Sequence, residues 1–232
     1  MYKVSLQTQG RFKGEEYIDK TVLLLVSVGK EYHQGEKLAA TIQKINQSGF
    51  ARCIIAVADT LQRHNILTVS PQEGYAVSRN KGDEWLKDHK KIISLLKMPY
   101  KISRWDEFLK RDDYHKYYYQ IVREYYSNKN YRSAVHETIR VFTQRKKLIE
   151  GTIEYDEAFY RSLFYILEEC PVIMPMWADE KIDFIIYPKQ MTAAMSKTRD
   201  ISLNGVNAEY ANWISLKFKK TSPNLIRISD EG

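Results

Sequence analysis

Thr21-Val-Leu-Leu-Leu-Val-Ser27 is the stretch on which the fold turns. Its apolar run, Val22 to Val26, is unbroken and too short for a helix of its own. A strand with one wet face alternates apolar and polar residues. This one does not, so it is expected to be buried on both faces, as central parallel strands are. The chain then turns through Val28 and Gly29. Residues 36–47 follow with Leu38, Ala39, Ile42 and Ile45 on one helical face, and Gly49 sits just past the end as a stop. Arg52-Cys-Ile-Ile-Ala-Val-Ala58 repeats the continuous apolar pattern. Strand, helix, strand in this order is the seed of a doubly wound sheet.

The pattern extends in the same style. A polar segment, 59–65, follows the second strand. Pro71 opens a long helical region to about Lys97, and Tyr100 to Trp105 reads as a third strand. Residues 106–147 are rich in charge and aromatics and read as two helices broken near Asn128–Asn130. A further helix is expected over 156–171, and a fourth strand over 183–187, ended by Pro188. Trp213 to Lys219 alternates apolar and polar, which predicts an exposed or edge strand. The 232 residues suit one large domain. The expectation is an α/β protein: a single Rossmann-like domain, 1–232, with a mostly parallel sheet.

Composition narrows the function. The 44% hydrophobic content supports a full core. The net charge of +7 points to an acidic partner, nucleic acid first, or to a solvated basic surface. Cys53 and Cys170 lie in apolar runs and read as buried thiols rather than a disulfide. No Cys–Cys or Cys–His spacing suggests a metal site. The N-terminal stretch lacks an apolar core of signal-peptide length, and no run approaches the roughly 18 apolar residues a bilayer span needs. A cytoplasmic, monomeric protein with no membrane contact is expected.

In open α/β sheets ligands bind beyond the carboxyl ends of the strands. That rule points to Ser27, Asp59 and Tyr187. Ser27 closes the first strand at a turn whose amides can face an oxyanion; it equally suits a turn cap, and no nucleophile elbow surrounds it. Tyr165 and Glu169 are four residues apart on one helical face. A carboxylate in that apolar helix needs a cation, whether a neighbouring Lys or Arg or a substrate ammonium. Glu168 points away from that face and reads as solvated. Tyr187 can relay protons near Ser27 or be an ordinary strand-end tyrosine. Arg79, Lys81, Lys87, Lys90, Lys91 and Lys97 crowd one helical region and suit phosphate contacts or a solvated face. Tyr117, Tyr118, Tyr119, Tyr125 and Tyr126 suit base stacking or, more simply, helix packing. The five histidines are scattered, with only His33 close to Ser27.

Three of these elements occur in one order. VLLLVS-VGKEY places Ser27 with Tyr32 five residues on; Tyr165-Ile-Leu-Glu-Glu169-Cys-Pro171 follows; Tyr187-Pro188 comes last. Over about Val22 to Gln190 the chain resembles the tRNA-dependent cyclodipeptide synthases. Tyr-Pro after the late strand, with Lys30 where another subgroup has Asn, is similar to the second subgroup of that family. The role of Lys30 therefore cannot be copied from the Asn.

The resemblance implies a fold similar to the catalytic domain of class I tyrosyl- and tryptophanyl-tRNA synthetases, without their ATP motifs. Ala194-Met195-Ser196-Lys197 is a poor echo of one. It implies aminoacyl-tRNA as substrate and no cofactor. Ser27 would take an aminoacyl group, held at its ammonium by Glu169 and Tyr165. A second aminoacyl-tRNA would deliver its amino group to give a dipeptidyl-enzyme, and ring closure, with Tyr187 relaying protons, would release a diketopiperazine. Leu23, Leu25, Ala56, Val172 and Ile185 would line the first aminoacyl pocket, with Leu25 making it tight and favouring a small aliphatic residue. The rival readings are a non-catalytic RNA-binding protein on a synthetase-like scaffold and a serine acyltransferase with another donor.

Overall fold

The unbroken apolar runs lie at the centre of a sheet. The computed structural model describes residues 2–8, 14–66, 70–203 and 207–221. Its strands are β1 (Tyr2–Thr8), β2 (Thr21–Ser27), β3 (Arg52–Ala58), β4 (Tyr100–Arg104), β5 (Phe184–Tyr187) and β6 (Asn212–Lys220). They form one six-stranded sheet in the order β1-β6-β5-β2-β3-β4. β2 runs parallel to β3 and β5, and β3–β4 and β5–β6 are parallel too. Only β1 is antiparallel, to β6.

Two expectations change here. β6 is not an edge strand. β1 pairs along its outer side, and Trp213 to Leu216 are all buried; only Lys217 onward keeps the polar alternation. β1 itself was not anticipated. Its Tyr2, Val4 and Leu6 alternate with Lys3, Ser5 and Gln7, a half-buried edge pattern.

Alternation along the central strands divides the core. Val22, Leu24, Val26, Ile55 and Val57 face α1 (Gly35–Gln47) and α2 (Pro71–Ile93). Leu23, Leu25, Ile54, Ala56 and Ile185 face the other way, onto the segment 172–178 and α3 (Trp105–Leu109). Beyond them α4 (Asp112–Ser127), α5 (Lys129–Arg145) and α6 (Ile153–Pro171) pack on one another through Ile121, Tyr131, Ile139 and Ile166. The break between α4 and α5 falls at Asn128, whose side chain accepts from the amides of Asn130 and Tyr131 as an N-cap. α2 stops at Ile93 rather than near Lys97. Pro171 does not end its helix. The chain continues as a π-helical segment, Val172–Met176, then α7 (Trp177–Asp179). A second proline, Pro175, lies inside that π-helical segment. α8 (Ala193–Ser202) follows β5. Both cysteines are free and buried. Among the described residues no helix is long and apolar enough to cross a membrane.

Asp59, at the end of β3, belongs to the framework and not to a ligand site. It is fully buried, caps Thr60 N at 2.7 Å and pairs with Arg104. Arg104 also reaches Asp83 at 2.6 Å and the carbonyl of Arg79 at 3.0 Å. This pair ties the ends of β3 and β4 to α2 where Gly82 lets the helix approach; a Cβ there would strike Asp59 and Arg104. Gly82→Ala should therefore destabilise the protein by about 1–3 kcal/mol through overpacking. Thermal denaturation checks this, and an unchanged midpoint would refute the close approach.

Candidate active site

The same alternation aims the reactive groups. Leu23, Leu25 and Ser27 share a face of β2, and Ile185 and Tyr187 share that face of β5. Both strands end here, so their last side chains stand at the rim of the sheet beneath α6. Ser27 Oγ lies 3.1 Å from Tyr187 Oη, which lies 2.9 Å from Tyr32 Oη. Tyr32 comes from the short helical turn Glu31–His33 just after the β2 turn. That turn passes Gly29 at φ +83°, where a side chain would be strained. Burial raises the pKa of both Tyr32 and Tyr187, so both phenols stay protonated at neutral pH.

α6 supplies the opposite wall. Gln62 Nε2 donates to Tyr165 Oη at 3.4 Å, and Tyr165 hydrogen-bonds Glu169. Glu169 is 8% exposed, and no ion pair to it is formed among the described residues. Burial pushes its pKa up to about 8; the Tyr165 hydrogen bond opposes this and the Glu168 charge adds to it.

Glu168 does point away from Tyr165, but it is not solvated. It accepts from Arg63 Nη1 at 2.8 Å, Trp105 Nε1 at 3.1 Å and His64 Nε2 at 3.1 Å, and is 7% exposed. Burial works against its charge, and His64 and Arg63 still hold its pKa below the usual value. Adjacent carboxylates on one helix thus meet opposite fates.

Ser27, Tyr32, Tyr165, Glu169 and Tyr187 all line one cavity of about 740 Å³. Lys30, Arg145, Lys146 and Lys189 line it as well, all exposed. These cations come from three distant segments, so no local sequence pattern announces them. A second groove of about 430 Å³, between β1, α1 and Leu95, is smaller and contains none of these groups. Among the described residues no cluster of three His, Cys, Asp or Glu side chains is placed to hold a metal ion.

No protein-family model and no curated protein sequence matches the chain. Solved structures do. A cyclodipeptide synthase from Fluoribacter dumoffii is 30% identical over 95% of this chain and 100% of that one, with a TM-score of 0.88. The chain belongs to the cyclodipeptide synthase family. A synthase from Candidatus Glomeribacter gigasporarum, solved bound to Phe-tRNAPhe, has a TM-score of 0.70 at 18% identity, covering 89% of this chain and 92% of that one. A Mycobacterium tuberculosis structure, described as relating cyclodipeptide synthetases to type I tRNA synthetases, shares the fold. It has a TM-score of 0.64 at 13% identity, over 95% and 94% of the two chains.

The other expected site residues lie outside this cavity. Leu23, Leu25, Ala56, Val172 and Ile185 are at most 2% exposed, sit together in the core, and none lines the cavity. They belong to one apolar cluster with Met174, Trp177 and Trp213. Lys81, Lys87, Lys90 and Lys91 are exposed on α2. Arg79 is engaged by Asp106 at 2.6 Å. Lys97 lies past the end of α2, so helical spacing does not place it on the same face. The tyrosine cluster divides: Tyr117 and Tyr125 are buried, whereas Tyr119 and Tyr126 are 68% and 71% exposed.

The two carboxylates predict opposite effects on stability. Between the ordinary carboxylate value and about 8, folded Glu169 keeps a proton that the unfolded chain has lost, so it costs stability as pH rises. Glu169→Gln should stabilise the fold, with a gain growing by up to about 1.4 kcal/mol per pH unit across that window. Glu168→Gln should instead cost about 1–3 kcal/mol at neutral pH by weakening the Arg63 clamp. That loss should fade in acid, as the wild-type carboxylate is protonated. Denaturant melts of both variants from acid to pH 8 test this; a pH-independent Glu169→Gln effect would contradict it.

Proposed function

We propose that this protein makes a cyclic dipeptide from two aminoacyl-tRNAs by ping-pong catalysis on Ser27, in the manner of the subgroup with Tyr-Pro after the late strand. The observation that carries this reading is the hydroxyl chain Ser27–Tyr187–Tyr32 facing a cavity that also holds the uncompensated Glu169. A buried carboxyl without a cation suits a substrate that brings one, and the ammonium of an aminoacyl ester does.

The atoms balance as follows. Ser27 Oγ attacks the ester carbonyl; the bond to the tRNA ribose oxygen breaks, and the Ser27 proton ends on that oxygen. The chain must then stay on Ser27. An attack by the second substrate's amine on the Ser27 ester would leave the dipeptide on tRNA. A dipeptidyl-enzyme therefore requires the reverse: the amine of the Ser27-bound residue attacks the second aminoacyl-tRNA, and the second tRNA leaves. The new terminal amine then attacks the Ser27 ester and closes the ring, and Ser27 regains its proton through Tyr187.

Glu169 serves the second step. Its pKa of about 8 lies near the roughly 7.7–8.0 of an α-amine, so it can hold the ammonium and take its proton with little driving force lost. The Ser27 amide is engaged by His33 Nδ1 at 2.9 Å, so oxyanion donation falls to the turn beyond it, Val28 and Gly29. Lys30, Arg145, Lys146 and Lys189 at the mouth suit the phosphates of the acceptor end, and Lys87, Lys90 and Lys91 on α2 suit the stem beyond it.

Ser27→Ala should abolish cyclic dipeptide in the medium of an expressing bacterial culture, read by mass spectrometry, and abolish covalent labelling by radiolabelled aminoacyl-tRNA. Equal labelling of variant and wild type would rule Ser27 out. Reversing charge at Lys87, Lys90 and Lys91 should weaken tRNA binding and flatten its salt dependence, with turnover falling first through KM. Unchanged affinity at low salt would make α2 a plain solvated face.

A further inference from the structure

His33 is 1% exposed beside the nucleophile and takes no part in the steps above. Its Nδ1 lies 2.9 Å from the backbone nitrogen of Ser27 and 3.3 Å from the Ser27 carbonyl oxygen. An amide N–H can only donate, so the shorter contact makes Nδ1 the acceptor and puts the ring hydrogen on Nε2. Nε2 is buried without a hydrogen-bond partner among the described residues. The ring stands against Tyr32 and Tyr187, with centroids 4.7 and 5.6 Å away. From behind, Trp85 Nε1 on α2 donates to the His33 carbonyl at 2.9 Å.

We propose that His33 is a positioning residue: Nδ1 holds the Ser27 amide while the ring props Tyr32 and Tyr187, so that the hydroxyl chain is assembled before substrate arrives. The inference rests on Ser27 being the nucleophile. The need for such a strut is visible in the sheet. The β2–β5 pairs end at Leu24–Ile186, three residues short of Ser27, and the chain then swings through Gly29. His33 supplies an acceptor to the strand end where β5 gives no partner, and Trp85 fixes the turn that carries it.

The same geometry denies His33 the role of general base. Nδ1 is occupied by an amide, and Nε2 carries the hydrogen. The titratable groups packed against the ring are the phenols of Tyr32 and Tyr187, with no charged side chain beside it among the described residues; burial drops its pKa to about 3, against an opposing contribution from the Ser27 backbone. It stays neutral whenever the enzyme works.

Nitrogen NMR of the wild-type protein tests the contact without relying on activity. A non-protonated Nδ1 and a protonated Nε2, unchanged between about pH 5 and 8, are expected. The other tautomer, or titration in that window, overturns the proposal. Kinetics test the role. His33→Asn can present a carbonyl oxygen near the Nδ1 position, whereas His33→Phe keeps the ring and loses the acceptor. Single-turnover acylation of Ser27 by charged tRNA should stay within a few-fold in the Asn variant. It should fall about 10²-fold in the Phe variant, at unchanged tRNA affinity and native circular dichroism. Wild-type rates in the Phe variant, or equal losses in both, overturn the proposal. A wild type that is never acylated counts against the proposed function instead, and the tautomer measurement then decides His33 by itself.

Discussion

Two neighbouring carboxylates on a buried helix turn cannot both stay ionised unless each finds a cation. α6 meets this constraint unequally. Glu168 receives Arg63, His64 and the Trp105 indole, and these fasten the turn 60–65 and α3 onto the helix. Glu169, one residue on, receives a phenol and, among the described residues, no cation. Fastening one carboxylate fixes the rotation of α6 and so holds the other over the ends of β2 and β5. The clamp also carries Gln62 into contact with Tyr165. The site is thus an outcome of how charge was distributed in the core.

The sheet contributes the complementary half by counting. Period-2 alternation decides that Ser27 and Tyr187 leave their strands on the α6 face, while parallel pairing brings β2 and β5 side by side. A shift of one residue in either strand would turn its hydroxyl toward α1 and α2. Asp59, at the equivalent end of β3, shows what the rim does when it is not a site: it is sealed by Arg104 and serves to hold β3, β4 and α2 together.

How much of this was legible follows from the range of each signal. The central strands, the α4–α5 break at Asn128 and the Ser27, Tyr165–Glu169 and Tyr187 elements were readable because each is a local pattern with a physical cause. β1 carried a readable alternation too, but its importance, covering β6 and turning an apparent edge strand into an interior one, depends on a pairing some 200 residues away in sequence. Glu168 misled for the same reason: helical geometry says where it points, not that Arg63 and Trp105 wait there. The five apolar pocket positions were transferred from a family pattern. In this chain they lie in one apolar cluster with the residues that continue the helix past Pro171. The cations at the cavity mouth are adjacent only in three dimensions.

The protonation states gathered around Ser27 fit one kind of chemistry better than another. Tyr32 and Tyr187 are held as neutral phenols, His33 as a neutral ring with its free-base nitrogen already engaged, and Glu169 as an acid that ionises near pH 8. Among the described residues such a site has no standing base to strip a serine and hold its proton, as a serine–histidine–carboxylate triad does. Exchange of one ester for another needs none. On the proposed function, the proton that leaves Ser27 is owed at once to the departing ribose oxygen, so a chain of hydroxyls that donates as it accepts is sufficient. A standing base is wanted only when an ammonium must become a nucleophile, and the one group with a matching pKa stands across the cavity from Ser27, where the amine of a serine-bound aminoacyl group would lie. On the proposed reading, the division of labour between the sheet rim and α6 is a division between passing protons along and removing one.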